Sequence, residues 1–157
     1  MDDGLCESVH AAFAVRGIEP ERLDLRPASR HADALGQYAD IDIALDPFPF
    51  TGGLTSCEAL WMGVPVVTWP QSRAVSRQTF ALLNAIGLAE LAADSADSYV
   101  HIAQSLASNP ARLTALRSGL RARMQSSPLM DVAGFTRQLE STLRGLYVAI
   151  GGQEAVS

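Results

Sequence analysis

With 157 residues, 48 % of them hydrophobic and 18 % charged, the chain has the balance of a globular protein with one domain and one sizeable core. Its net charge of -5 and pI near 5.1 give no general attraction to nucleic acid or to an anionic membrane. No stretch is apolar and long enough to span a bilayer, and MDDGLCES lacks the start of a secretory signal; with Cys6 and Cys57 far apart, the expectation is a cytoplasmic protein with free thiols.

Leu5, Val9, Ala12 and Phe13 recur at helical spacing, and Gly17 ends that helix. In a doubly wound fold a strand normally feeds each helix, so an opening helix suggests a strand upstream of the chain. Arg22 to Leu25 is predicted as a strand and Arg30 to Tyr38 as a short helix, with Pro27 and Ser29 between them. Ile41, Ile43 and Leu45 make an apolar run that suits a buried parallel strand, covered on both faces. Pro47, Pro49, Gly52 and Gly53 then turn the chain. Thr55 or Ser56 can N-cap a helix from Cys57 to Met62, Gly63 stops it, and Val64 to Trp69 is a second β-branched run. Strand, glycine loop, helix and strand form a crossover that joins two parallel strands of one sheet.

That unit has chemical meaning. A helix N-terminus behind a glycine loop presents unpaired N–H groups and the positive end of a dipole, which suit a phosphate. Glu58, one turn into the helix, can accept hydrogen bonds from neighbouring ribose hydroxyls. Phosphate donors followed by a ribose acceptor suggest a nucleotide. The competing account is that Gly52 and Gly53 only make a turn, Thr55 only caps and Glu58 only complements the dipole; spacing leaves both open. No G-x-G-x-x-G opens the helix and no Lys follows the glycines as a P-loop requires.

Beyond Trp69 the loop PQSRAVS carries Arg73 and Arg77, and a pairing that is structural rather than with ligand is expected for Arg77, which begins a helix through Phe80, Leu82 and Leu83. Gly87 ends that helix, and Leu88 to Leu91 is predicted as a further strand. Asp94 or Ser95 caps a helix bearing Tyr99, Ile102, Ala103 and Leu106. Asn109-Pro110 breaks it, and Leu113, Leu116, Leu120 and Met124 stripe the next. Arg112, Arg117, Arg121 and Arg123 are expected on its solvated faces. Asp131 caps a final helix through Phe135, Leu139, Leu143 and Val148, with a tail from Gly151.

The run DIALDPFPFTGG-L-T-SCEALWMGVPVVTWP resembles the C-terminal catalytic region of the O-linked N-acetylglucosamine transferase family, in its bacterial SPINDLY-like branch. The likeness continues through SRQTFALLNAIGLAELAA, the segment from Ser98 to Asp131 and FTRQLESTLRGLY, and includes GIEPERLDLRP upstream, so it spans nearly the whole chain. It implies an α/β fold: residues 1–150 as most of the C-terminal Rossmann-like half of a GT-B glycosyltransferase, ending in an all-helical segment, and 151–157 as tail. It further implies that Gly52, Gly53, Leu54 and Thr55 meet the diphosphate of a UDP-sugar, that Glu58 meets the ribose, and that His31, Ala34 and Gln37 lie on the uracil side. Gly53 stands where animal members carry His, Leu54 where they carry Thr and Ala34 where relatives carry His. The family's phosphate-binding Lys and Gln and its proposed catalytic His lie upstream of this chain. UDP-sugar enters as substrate, with no metal cofactor expected, and the protein acceptor reaches the site through an N-terminal half. The chain is therefore expected to transfer no sugar alone, and its open sheet edge is a place for self-association.

Overall fold

The computed structural model describes residues 3–151, so the expected tail lies, Gly151 apart, outside the described residues. Two compact units divide at residues 37 and 38.

In the first unit, α1 (Asp3–Ala14) ends as predicted at Gly17, whose φ of 73° lets the Ile18 amide return to the Phe13 carbonyl at 3.2 Å. The strand predicted from Arg22 to Leu25 does not form. A 3-10 turn occupies Pro20–Arg22, and Leu23 is extended, at φ -111° and ψ 116°. The local preference is met but no strand of this unit lies beside it, and Arg26 pairs across the extended stretch with Asp24 at 2.6 Å. The helix α2 (His31–Gln37) follows.

The second unit holds the predicted crossover: β1 (Ala44–Leu45), α3 (Leu54–Trp61) and β2 (Val66–Val67). The strands are parallel, with Ala44 opposite Val66 and Leu45 opposite Val67. Each is only two residues long. The expected burial of both faces of β1 fails at Leu45, which is 59 % exposed, and among the described residues β1 is also an edge strand, paired only with β2. The strand predicted from Leu88 to Leu91 is instead a 3-10 turn at Ala89–Leu91. Its three-residue period buries both Leu88 and Leu91, and only Ala92 reaches the sheet, in a single parallel bridge to Thr68.

Four further helices follow: α4 (Gln78–Ala85), α5 (Ala96–Ala107) and α6 (Pro110–Gln125), which contribute to the core around the sheet, and α7 (Val132–Ala149), which buries no residue. Leu60 of α3, Val66 and Val67 of β2, Leu83 of α4, Leu106 of α5 and Leu120 of α6 meet in one core. The capping signals were informative. Ser95, not Asp94, caps α5 through a reciprocal pair with Ser98, Asn109 accepts from the Arg112 amide at the start of α6, and Asp131 accepts from the Gly134 amide of α7.

Two expectations about side chains are corrected. Arg117 is half-buried rather than solvated, and Arg121, exposed as expected, is nonetheless anchored by its guanidinium. Arg117 donates to the carbonyls of Ile41, Ala39 and Tyr38 at 2.9, 3.0 and 3.2 Å, and Arg121 donates to the Trp61 carbonyl at 3.0 Å while lying over its ring. Both are guanidiniums serving main-chain carbonyls, with Arg117 on the 3-10 turn before β1, where the Tyr38 carbonyl also accepts the Ile41 amide, and Arg121 on the C-terminal end of α3. The apolar stripe of α7 is real but uncovered within this unit: Phe135, Leu139 and Leu143 are all exposed.

Candidate functional site

The residue that organises the crossover is one the motif reading passed over. Asp46 ends β1 and is 4 % exposed. A buried carboxylate is tolerated only when its oxygens are satisfied, and here both are. Oδ1 accepts the Gly52 amide at 2.7 Å and Oδ2 accepts the Thr68 hydroxyl at 2.6 Å. The Tyr99 phenol donates to the Asp46 main-chain carbonyl at 3.0 Å. Between Asp46 and Gly52 the loop is held twice more. Phe48 sets its ring edge-to-face against Trp69 and Tyr99, with centroids 4.7 and 6.0 Å apart, and the Thr51 amide and hydroxyl both donate to the Val75 carbonyl.

Gly52 is clamped on its other side as well. The Thr79 hydroxyl donates to the Gly52 carbonyl at 3.0 Å, so its proton is committed and the Ser56 hydroxyl, 2.8 Å away, is the donor to Thr79. The run Ser56 to Thr79 to Gly52 therefore points one way. A side chain at Gly52 would strike Ser56 Oγ and come within 2.8 Å of Thr55 Oγ1, which is why the loop requires glycine here.

This geometry corrects the predicted cap. The helix α3 starts at Leu54, with Gly53 in the N-cap position and no side-chain cap; Ser56 lies inside the helix with its hydroxyl turned to Thr79. The amides of Leu54, Thr55 and Ser56 consequently have neither an intrahelical acceptor nor a capping oxygen. Gly52 contributes no free donor, since its N–H is given to Asp46. Leu54, at 73 % exposure, projects its side chain to solvent.

Glu58 sits half-buried one turn along α3. Its charge raises the pKa of Tyr38 and of Cys57, in each case after the larger effect of burial. Tyr38 donates to the Thr55 carbonyl at 3.2 Å. Tyr38, Asp46, Pro47, Thr55, Ser56 and Ala59 line an open cleft of about 120 Å³ beside the end of β1. That is below the ~300 Å³ at which complete small-molecule pockets begin.

Of the residues singled out in the sequence, Gly52, Gly53, Leu54, Thr55 and Glu58 gather at the start of α3. His31, Ala34 and Gln37 follow one another at three-residue spacing along α2 in the first unit, where Gln37 donates to the Ser29 hydroxyl at 3.4 Å. Arg77 lies over the Phe80 ring and donates to the Gln71 carbonyl at 3.4 Å, so its partners are a ring and a carbonyl. Cys6 and Cys57 are both unbridged. Among the described residues no group of three or more His, Cys, Asp or Glu side chains is arranged to hold a metal ion, and no helix is long and apolar enough to cross a membrane. Asp46 was missed because Asp before Pro reads as an ordinary turn, though a carboxylate closing an apolar run was a usable signal, since burial requires partners; nothing local marked Thr79.

The family model described as "Glycosyl transferase family 41" matches residues 5–139. The chain belongs to that family. It is 42 % identical over 147 residues to a probable UDP-N-acetylglucosamine--peptide N-acetylglucosaminyltransferase SPINDLY of Petunia hybrida, covering 90 % of this chain and 16 % of the relative. A UDP-N-acetylglucosamine--peptide N-acetylglucosaminyltransferase of Caenorhabditis elegans is 30 % identical over 137 residues, covering 87 % of this chain and 12 % of the relative. Among solved structures, the Thermobaculum terrenum O-GlcNAc transferase mutant K341M superposes with a TM-score of 0.87 at 38 % identity, covering 93 % of this chain and 28 % of that one. Family 41 membership and this superposition give the fold class: a Rossmann-like parallel sheet flanked by helices, as in the C-terminal half of a GT-B glycosyltransferase. The chain spans about a sixth of the length of the plant relatives it matches.

Proposed function

We propose that the chain is the donor-binding part of a protein O-glycosyltransferase that uses a UDP-sugar, with UDP-N-acetylglucosamine as the first candidate from the names of its relatives. In this reading the diphosphate lies against the amides of Gly53, Leu54 and Thr55, the ribose hydroxyls meet Glu58, and His31, Ala34 and Gln37 serve the base. The carrying observation is the uncapped start of α3 behind a glycine held at both its N–H and its C=O. Fixed, unpaired amides at the positive end of a helix suit a diphosphate, and Leu54 in place of a hydroxyl residue leaves those amides intact.

By itself the chain is inactive in transfer. Its twelve basic residues are all arginines, so the lysine that the resemblance assigns to the leaving diphosphate has no counterpart in it. Transfer also requires an acceptor hydroxyl held in line, which one wall of a cleft does not supply. A second reading, a non-catalytic module that associates through its sheet, is favoured by a different feature. Beside the edge of β1 that pairs with no described strand, Ile43, Leu45, Ala103, Gln104 and Ala107 line a shallow, mostly apolar groove of about 290 Å³, where another strand can be added.

Calorimetric titration of the chain and of Glu58→Ala with UDP tests the main reading. Saturable binding that weakens in the variant supports it. A folded wild-type chain that takes up no UDP refutes it, and sedimentation showing a dimer in that case favours the module.

A further inference from the structure

We propose that Asp46 is the positioning residue of the diphosphate subsite: it touches no ligand, and it sets the subsite's shape by holding the Gly52 peptide. The inference rests on the donor-binding reading above. Three observations carry it. The carboxylate is 4 % exposed, so its function is internal, and neither oxygen is left over for a ligand. Its two bonds join the loop before α3 to Thr68 at the end of β2, so the loop is referenced to the sheet rather than to neighbouring surface. On the far side of the same residue, Thr79 of α4 takes the Gly52 carbonyl. The two peptide units on either side of the Gly52 Cα are thereby each fixed, one by Asp46 and one by Thr79, immediately before the start of α3.

The arrangement has an electrostatic side. By accepting the Gly52 N–H, Asp46 removes that donor from the set a diphosphate can use and leaves the amides that follow. An anion here is recognised by donors held in place beforehand, so little ordering is left to occur on binding. The subsite's selectivity for phosphate over a bare nucleoside is then a property of Asp46, Thr68 and Thr79, though none of them contacts the phosphate.

The test is calorimetry with UDP and with uridine, on the wild-type chain, Asp46→Ala, Asp46→Asn and Thr79→Val, each first shown to be folded by its tryptophan emission and thermal transition. The quantity read is the ratio of UDP to uridine affinity. In Asp46→Ala that ratio falls about ten-fold or more while uridine affinity stays within about two-fold, as expected when hydrogen bonds to a charged group lose their geometry. Asp46→Asn keeps an acceptor for the Gly52 amide and restores most of the ratio. If Asp46→Ala does not fold, Thr79→Val carries the same prediction, because it frees the other side of Gly52. Parallel loss of both affinities, or an unchanged ratio in a folded variant, overturns the inference while leaving the donor site standing. Absence of UDP binding in the wild type overturns the donor-binding reading, and this inference with it.

Discussion

Replacing Gly52 or Gly53 by alanine separates two glycines that look alike in the sequence. Gly52 has no room for a methyl group: it would strike Ser56 Oγ, come within 2.8 Å of Thr55 Oγ1 and reach 3.3 Å from Asp46 Oδ1. Ser56 cannot yield, since its hydroxyl is buried against Thr79, so relief means breaking that hydrogen bond or the one from the Gly52 amide to Asp46. Overpacking costs about 1–3 kcal/mol and a buried polar group left unsatisfied about 1–3 more, so we expect Gly52→Ala to lose roughly 3 kcal/mol. For a chain of this length that corresponds to a melting temperature lower by about 6–12 °C. At Gly53 a methyl group meets only the end of Gln78, 2.8 Å away at Oε1, on an exposed and flexible side chain. The Gly53 φ of -115° is negative, so alanine meets no positive-φ penalty there. Gly53→Ala should therefore melt within about 2 °C of wild type. Both tryptophans, Trp61 and Trp69, lie in the second unit, so thermal melts followed by their fluorescence report the relevant part of the chain. Equal melting of the two variants would refute the clamp around Gly52.

Arg117→Ala removes donors from three carbonyls and should cost about 1–2 kcal/mol in urea unfolding, because water partly replaces a half-exposed partner. Arg117→Lys should recover less than half of it, since an ammonium lacks the planar fork; full recovery would show that charge alone matters. Leu120→Ala, at a site with no exposure, should cost about 2–5 kcal/mol, whereas Leu143→Ala on the open face of α7 should cost under about 1. A comparable cost at Leu143 would mean that this face is covered in solution. Burial and then Glu58 raise the Cys57 pKa, so in a Cys6→Ser background its alkylation should gain speed only above the pH at which a free thiol does. Glu58→Gln should move that midpoint down but not back to the free value; a midpoint at or below it in the parent would refute the assignment.

What the sequence disclosed follows from the range over which each signal acts. Helix ends are local, and Ser95, Asn109, Asp131, Gly17 and Gly63 were readable because a cap or a positive φ needs only its own few residues. Strands are not local. Leu88 to Leu91 has the composition of a strand, yet the end of α4 at Gly87 returns the Leu88 amide to Leu83 and turns the next residues before they can pair. Of Arg22 to Leu25, Arg22 is taken into a 3-10 turn while Leu23 has the conformation of a strand, with no strand of the described first unit beside it. Arg117 departed from expectation for the same reason, since the carbonyls that hold it lie more than seventy residues earlier in the chain. Periodicity revealed the stripe on α7 and said nothing about what covers it.

The candidate site divides along the same line, and the division bears on how much weight Leu54 should carry against a phosphate role. The motif showed Gly52 to Glu58 because those residues are contiguous; Asp46 and Thr79 were hidden because their work is done across 6 and 27 residues of sequence separation from Gly52. Donors that are main-chain amides are indifferent to the side chain beside them, so Leu54 removes a hydroxyl without removing an N–H. Their direction, by contrast, depends wholly on the peptides they follow. A leucine at the helix start is thus a smaller departure than its exposed position suggests, and a change at buried Asp46 or Thr79, invisible from the cleft, would be the larger one.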